Sequence, residues 1–276
     1  TYDGLVTATV TKLVTEGILT GEDGSDEVTV NATAAFENAD AGTNKKVTVK
    51  YSLSALSGKT ENYAVPENSI SAANIKAKKI SVTDVKADDK VYDGSVKASV
   101  SALTTEGILN AEVKVVCEAK FSDANAGKNK KVLVTYALSA VNGKVANYVA
   151  PISGETTAEI TAKEAETHWI IGEFVYNGAN QADKVQAYYA DVNGRRIYLA
   201  TDLSEFVDYK EGGYTVRATL KNGETNYVLE ETSRTTTVNI SKADNAISDF
   251  AITGWTEGEA SSVPVAKAKF GTVRFV

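Results

Sequence analysis

The segment FSDANAGKNKKVLVTYALSAVNGKVANYVAP, from Phe121 to Pro151, decides the fold. Nearly the same text stands earlier in the chain as FENADAGTNKKVTVKYSLSALSGKTENYAVP, from Phe36 to Pro66. Self-similarity of this grade means that one supersecondary plan is used more than once. The chain is therefore a tandem repeat, and each copy can be interpreted against the other.

A β-strand is predicted inside each copy. In the later copy, Val132, Val134, Tyr136 and Leu138 alternate with their neighbours, and the earlier copy repeats the pattern. A period of two sends successive side chains to opposite faces of a strand. A cluster of Asn, Asp and Gly precedes each strand and a Gly-Lys pair follows it, as expected for chain reversals. The pattern predicts a β-meander in each copy.

The repeat spacing predicts three units and a remainder. The first repeat spans 1–79, the second 80–163 and a diverged third 164–243, and 244–276 begins a truncated fourth. The first repeat lacks a counterpart of residues 80–90, so we expect it to lack one strand. The joints contain neither Gly nor Pro, unlike flexible linkers. We expect a stiff rod whose unpaired strand edges at both ends invite pairing with another chain.

Charge and hydropathy exclude two classes of partner. The formal net charge is −7 and the first Arg is Arg195. Nucleic-acid affinity comes mainly from phosphate neutralisation, so we expect no nucleic-acid partner. No apolar run approaches the roughly 18 residues of a membrane helix, so we expect no membrane insertion. The absence of Met and of a leader indicates a piece of a longer protein.

No catalytic centre, metal site or cofactor is predicted. The single Cys117 excludes an internal disulfide and aligns with Ala32, which indicates a buried, inert thiol. The single His168 cannot form a His pair for a metal. Carboxylates fall in turns without an acid and base pair, and glycines occur singly. We therefore expect no enzymatic activity.

Two further chemistries remain alternatives. The loop with Glu22, Asp23, Asp26 and Glu27 collects carboxylates that a calcium ion prefers, but the second repeat does without it. The other alternative is a Lys to Asn cross-link of the kind that some β-sandwich domains carry. The recurring residues that would form one are Lys46, Lys131, Asn62 and Asn147.

Two short motifs recur in each repeat. An Asp or Asn followed by Gly after a Tyr supplies a turn with an Asx hydrogen bond and a positive φ, while the ring packs on an edge. An Asn-Tyr pair before the closing strand is similar to the tyrosine corner of β-sandwiches. We predict a structural role for both motifs, with an exposed aromatic platform for sugars as the alternative. The residues are Tyr2, Asp3, Gly4, Tyr92, Asp93, Gly94, Tyr176, Asn177, Gly178, Tyr63, Tyr148 and Tyr227.

These motifs carry a resemblance to a known family. The chain resembles the Tyr-Asp-Gly (YDG) repeats and the related mostly-β, Gly-containing (MBG) repeats of bacterial surface adhesins, with Asn177 of the third repeat departing from the Asp pattern. The resemblance implies all-β, tandem Ig-like β-sandwich domains in an elongated array, strung along large secreted or cell-wall-attached proteins. It says little about a ligand.

Two functions follow as expectations. The first is a non-catalytic spacer or stalk whose partners are neighbouring repeats of the same longer chain at the bacterial surface. The alternative is a binding module for a glycan or an extracellular protein, through a face of the third repeat. Its candidate contacts surround a predicted hairpin turn at Asn193–Gly194; they are Tyr188, Tyr189, Arg195, Arg196 and Tyr198.

Overall fold

A computed structural model describes residues 1–22, 24–251, 257–258, 265–269 and 271–274. The calcium hypothesis rests partly on Asp23, and the fourth repeat partly on Trp255 and Phe270, which lie outside the described residues. The structure is nearly all β with many sheets, which confirms the all-β prediction. The chain divides into two compact units, Thr1–Val91 with Ser95–Thr161, and Tyr92–Gly94 with Ala162–Val276. The predicted division into four repeats stays a prediction.

The first unit is built of strands joined by short turns. The strands are β1 (Thr7–Ala8), β2 (Val28–Phe36), β3 (Gly42–Ala55), β4 (Ser69–Ile75), β5 (Lys78–Lys79), β6 (Ser81–Ala87), β7 (Lys90–Val91), β8 (Lys97–Ala98), β9 (Val100–Glu106), β10 (Val113–Phe121), β11 (Gly127–Ala140), β12 (Tyr148–Val149) and β13 (Gly154–Thr161). They form sheets in the orders β1-β2-β3-β4, β7-β13-β11-β10-β8, β12-β5 and β6-β9.

The two repeats of this unit share one register. Val28 pairs with Ala55 and Phe36 with Val47 across β2 and β3. The same residues 85 positions later pair across β10 and β11. The predicted alternation is confirmed, because Val132 and Val134 are fully buried while the intervening Leu133 is exposed.

The two repeats differ at β9, whose counterpart in the first repeat is not assigned as a strand. In the second repeat, β6 pairs with β9 in an antiparallel ladder. The counterpart of β9 in the first repeat is the segment 10–16, which forms no strand although its sequence continues into the same Thr-Glu-Gly-Ile-Leu text. A strand needs a neighbour to satisfy its N–H and C=O groups. Residues 10–16 share four of their seven residues with β9, and among the described strands none pairs with them.

The second unit holds the remaining strands. They are β14 (Lys163–Ala165), β15 (His168–Ile170), β16 (Phe174–Val175), β17 (Gln186–Ala190), β18 (Arg196–Tyr198), β19 (Ala200–Thr201), β20 (Tyr214–Thr219), β21 (Tyr227–Leu229), β22 (Thr235–Val238), β23 (Ile240–Ser241), β24 (Ile247–Ala251) and β25 (Val265–Ala268). Their sheets have the orders β14-β21, β15-β17-β18, β16-β23, β19-β20-β22 and β24-β25. One buried cluster comprises Phe174, Val185, Phe206, Val216, Val238 and Ile240. Another comprises Ala165, Ala187, Tyr189, Ala218, Tyr227 and Leu229.

Helical structure in the described residues consists of short 3-10 turns. These turns are Thr60–Asn62, Val145–Asn147 and Ala182–Lys184. Across the described ranges, none of the helices has the length and apolar character to cross a membrane.

Candidate functional site

The tyrosine of the first Tyr-Asp-Gly motif is buried against the second repeat. Tyr2 is 5% exposed, and its ring meets the edge of Tyr148 with centroids 5.5 Å apart and planes at 78°. Its hydroxyl donates to the carboxylate of Glu112, with oxygen distances of 2.8 and 2.9 Å. The Tyr148 hydroxyl donates to the same carboxylate at 2.7 Å. We call Tyr2, Glu112 and Tyr148 the tyrosine joint.

The backbone of Glu112 holds its carboxylate in place. The carbonyl oxygen of Glu112 accepts the N–H groups of Val141, Asn142 and Gly143 at 2.9 to 3.0 Å. The chain passes so close that a Cβ on Gly143 would lie 2.5 Å from the Cβ of Glu112. Only glycine fits there without a shift, which explains the Gly of the recurring Gly-Lys pair.

The rest of the motif supports the same contact. The Asp3 carboxylate accepts the N–H of Leu5 at 2.9 Å, which is the predicted Asx turn. Gly4 has φ of 81°, a value that glycine adopts readily. A Cβ at Gly4 would lie 4.0 Å from the side chain of Leu109, whose own N–H donates to the Tyr148 hydroxyl at 3.2 Å. The motif therefore presents a ring and a bare backbone to one surface.

Apolar side chains from both repeats surround the tyrosine joint. Ile75 precedes the link between the repeats and Ile80 follows it, and both are buried in one cluster with Tyr2, Val113 and Tyr148. The link itself is ordered by backbone pairing, because β5 runs parallel to β12, which opens with Tyr148. The two repeats of the first unit thus share a core at their junction.

A polar network closes one side of the joint. Asp40 of the first repeat forms an ion pair with Lys144 of the second. The side-chain oxygen of Asn147 accepts the N–H of Ala41 at 2.8 Å, and its amide nitrogen donates to Asp40 at 3.2 Å. The bond from Lys144, and then that from Asn147, lowers the pKa of Asp40. Asn147 is thus engaged in this network rather than beside Lys131, which pairs with Glu155 at 2.7 Å.

Burial sets the titration of the two rings. Burial, with a further contribution from the hydrogen bond to Glu112, raises the pKa of Tyr2 to about 12. The same causes raise the pKa of Tyr148. Both phenols therefore remain neutral donors at physiological pH.

The second unit contains a matching arrangement. Tyr92 meets Tyr227 edge-on, with centroids 5.3 Å apart and planes at 74°. The Tyr227 hydroxyl accepts the N–H of Val192 at 2.8 Å. A Cβ at Gly94 would lie 3.0 Å from the side chain of Val192. The second unit therefore repeats the arrangement of the joint. Tyr92, Tyr227 and Val192 correspond to Tyr2, Tyr148 and Leu109.

The first repeat carries the receiving half of this arrangement. The Tyr63 hydroxyl donates to Glu27 at 2.8 Å and accepts the N–H of Leu19 at 3.3 Å. The carbonyl oxygen of Glu27 accepts three turn N–H groups, ending at Gly58, as Glu112 does. Leu19 is 66% exposed, and Tyr63 is half-buried. We call Leu19, Glu27 and Tyr63 the tyrosine socket.

The candidate ligand contacts of the third repeat separate into different environments. Tyr189 is 2% exposed and belongs to the core. Arg195 pairs with Asp191 at 2.8 Å across the hairpin turn, and Gly194 has the positive φ that this turn requires. Tyr188, Arg196 and Tyr198 lie together on the sheet of β15, β17 and β18.

That sheet carries an aromatic group, which we call the aromatic face: His168, Tyr188, Arg196 and Tyr198. The guanidinium of Arg196 stands 4.7 Å from the centroid of Tyr188. Tyr188 also packs on His168 with centroids 5.2 Å apart, and Tyr198 lies 6.2 Å away and is 45% exposed. His168 joins the group because it pairs with Tyr188 in the ladder, a cross-strand relationship that spacing alone did not reveal.

The remaining candidate residues have ordinary surroundings. Cys117 is half-buried on β10 rather than fully enclosed. Within the described ranges, no group of three or more His, Cys, Asp and Glu side chains could hold a metal ion.

The family model of the YDG domain matches residues 1–71 and 76–159, together more than half of the chain. The chain belongs to the YDG domain family. No curated protein matches it, and no solved structure does. The two YDG matches cover the repeats that the tyrosine joint connects.

Several residues in and around the tyrosine joint of this YDG protein were not predicted from the sequence. Glu112 and Leu109 contact the motif from the next repeat, and Asp40 and Lys144 bridge the same junction. A signal was present, because Glu27 and Gly58 recur as Glu112 and Gly143 at the common spacing of 85.

Proposed function

We propose that this chain is a non-catalytic spacer of a bacterial surface or secreted adhesin-like protein. Its repeats are Ig-like β-sandwiches in an elongated array, with an MBG-like third repeat, and they act outside the cell. Their partners are neighbouring repeats of the same longer chain. A spacer needs stable domains and stiff junctions, and it needs no reactive site.

The observation that carries this proposal is the use of the Tyr-Asp-Gly motif. Tyr2 is buried between two repeats, where it bonds to Glu112 and packs on Tyr148. A binding platform would expose such a ring to its ligand, whereas a joint buries it. The most recognisable residues of the family thus hold two repeats together.

The surroundings of the joint favour stiffness. A flexible linker is rich in Gly and Ser and makes few contacts. Here the link runs between buried Ile75 and Ile80, and part of it pairs with β12. The ion pair of Asp40 with Lys144 adds a constraint away from the link. Bending would have to break all of these contacts together.

A distance measurement between the two repeats tests the proposal. Spin labels at Thr33 and Glu118, which are equivalent exposed positions on β2 and β10, would be placed in a Cys117→Ser background. We expect one narrow distance distribution, which broadens in Tyr2→Ala and stays narrow in Tyr176→Ala. A broad distribution in the unaltered joint would contradict a stiff spacer.

A second candidate function is ligand binding at the aromatic face of the third repeat. Tyr188, Tyr198 and Arg196 present partly exposed rings and a guanidinium on one sheet. Flat aromatic surfaces with a polar group are suited to sugar rings and to protein side chains. This candidate therefore involves a glycan or an extracellular protein.

A glycan-array and matrix-protein screen of the full chain tests this second candidate. Specific binding that is lost in Tyr188→Ala and in Tyr198→Ala would support it. The matched control is Tyr209→Ala, because Tyr209 is equally exposed and also lies beside a cation, Lys242, 4.6 Å from its ring centroid. Loss of binding in that control as well would indicate non-specific adhesion.

A further inference from the structure

The socket on the first repeat has the same construction as the surface that receives Tyr2. In both places the Asn-Tyr hydroxyl donates to a Glu carboxylate, at 2.8 Å for Tyr63 and 2.7 Å for Tyr148. In both places a leucine N–H donates to that hydroxyl. A nearby glycine lets the turn fold onto the Glu backbone, since a Cβ added to that glycine would lie 2.5 Å from the Glu Cβ in each repeat. The tyrosine socket is therefore formed before anything docks.

The exposure of the two surfaces differs. Beneath Gly4, Leu109 is half-buried, whereas its counterpart Leu19 is 66% exposed. Tyr148 is buried, and its counterpart Tyr63 is half-buried. The socket thus presents an apolar leucine, a tyrosine ring and the carboxylate of Glu27. Its counterpart Glu112 accepts two phenols.

A matching motif is accessible on the third repeat. Tyr176 is 38% exposed, and its N–H donates to Ser241 as the N–H of Tyr2 donates to Lys76. Asn177 accepts the N–H of Ala179 at 2.9 Å, the same Asx turn as at Asp3. Gly178 has φ of 77°, close to the 81° of Gly4. We call Tyr176, Asn177 and Gly178 the tyrosine plug.

We propose that the tyrosine socket of one copy of this chain binds the tyrosine plug of a second copy. The Tyr176 hydroxyl donates to Glu27, its ring packs on Tyr63, and Gly178 lies over Leu19. The contact is head-to-tail, so each copy keeps one unused plug or socket and chains can grow. This inference uses the same joint geometry as the proposed function and goes beyond it, because it concerns a contact between separate chains.

The expected affinity is low. Contacts well below the size of a standard interface are weak, and the joint inside one chain has the advantage of a covalent link, whose effective concentration is in the ~mM range for short connections. Association between separate copies should accordingly appear only in concentrated solution.

Sedimentation of the full chain up to about 1 mM tests the proposal, since that range matches the effective concentration of a short link. We expect the average mass to rise with concentration. Tyr176→Ala removes the plug and Leu19→Asp blocks the socket, and both sites are exposed, so folding should survive. Each variant alone should remain monomeric. An equal mixture of the two should form dimers and nothing longer, because only one plug and one socket remain per pair.

Three results would overturn the proposal. One is a wild-type chain that stays monomeric over the whole range. Another is association that persists in either variant alone, which would indicate pairing of strand edges, such as the unpaired segment 10–16 of the first repeat. The third is a mixture that fails to associate although circular dichroism shows both variants folded.

Discussion

The hydroxyl of Tyr2 lies 2.8 Å from a carboxylate oxygen of Glu112, a residue 110 positions later in the chain. The bond joins the family motif of one repeat to the turn of the next. Because Glu112 also accepts Tyr148, one carboxylate satisfies two phenols at the junction. A motif that looks local in sequence thus acts between repeats.

Replacing Tyr2 should weaken the junction. Tyr2→Ala removes a buried ring and should lower the free energy of unfolding by about 3 kcal/mol, as for other buried aromatic residues. Tyr2→Phe retains the ring and loses the bond to Glu112, so a loss of about 1 kcal/mol is expected. Chemical denaturation of the full chain measures both.

The matched control for these variants is Tyr176→Ala in the third repeat. Its ring is substantially exposed, so its replacement should change stability by less than about 0.5 kcal/mol. Equal losses at Tyr2 and Tyr176 would show that burial at the junction is not the source of the effect.

The close approach at Gly143 gives a second prediction. Gly143→Ala places a Cβ 2.5 Å from the Cβ of Glu112 and must shift the turn. Gly172→Ala meets no described heavy atom within 4 Å, and it should be neutral or stabilise by about 0.5 kcal/mol through the unfolded chain. We expect a lower Tm for the first variant and an unchanged or higher Tm for the second. The reverse order would exclude the steric account.

Acid should loosen the Asp40 contact. Lys144 and Asn147 hold the pKa of Asp40 below its usual 3.8. A lowered pKa means that the folded state favours the charged form, so the contribution is complete above the unfolded value and is lost as the pH falls through the folded one. The stability difference between wild type and Asp40→Asn should be constant near about pH 6 and shrink below about pH 4. A difference that grew on acidification would contradict this assignment.

A partner strand should convert the segment 10–16 into a strand. Adding a copy of residues 80–90 in front of Thr1 supplies the counterpart of β6, and hydrogen exchange should then show protected amides in the segment. In the second repeat, Val85 of β6 pairs with Leu103, whose counterpart Leu13 is exposed.

The control for this addition carries Asp at the positions of Val82 and Val85. It keeps the length and loses the apolar face, so it should leave the amides of 10–16 exchanging fast. Protection in both proteins would mean that added length, and not a specific strand, orders the segment.

Much of the candidate site could be predicted from its residues. The Asx turns, the positive φ of Gly4 and Gly94, and the hairpin at Gly194 all follow from local chemistry and are confirmed. The choice of Tyr189 as a surface contact did not anticipate its place in the core. On a strand, adjacent residues face opposite sides, and only the neighbouring strands decide which side is covered.

The amino-acid sequence alone determined that this protein is a β-rich tandem repeat. The alternation of apolar and polar residues and the turn residues are local features, and both occur in two near-copies. Only the tertiary structure decided which element each repeat meets. The Tyr2 ring is buried because the second repeat packs against it. Residues 10–16 form no strand, and none of the described strands pairs with them. Contacts between distant segments depend on which segments pack together, and similar sequences can therefore adopt different structures.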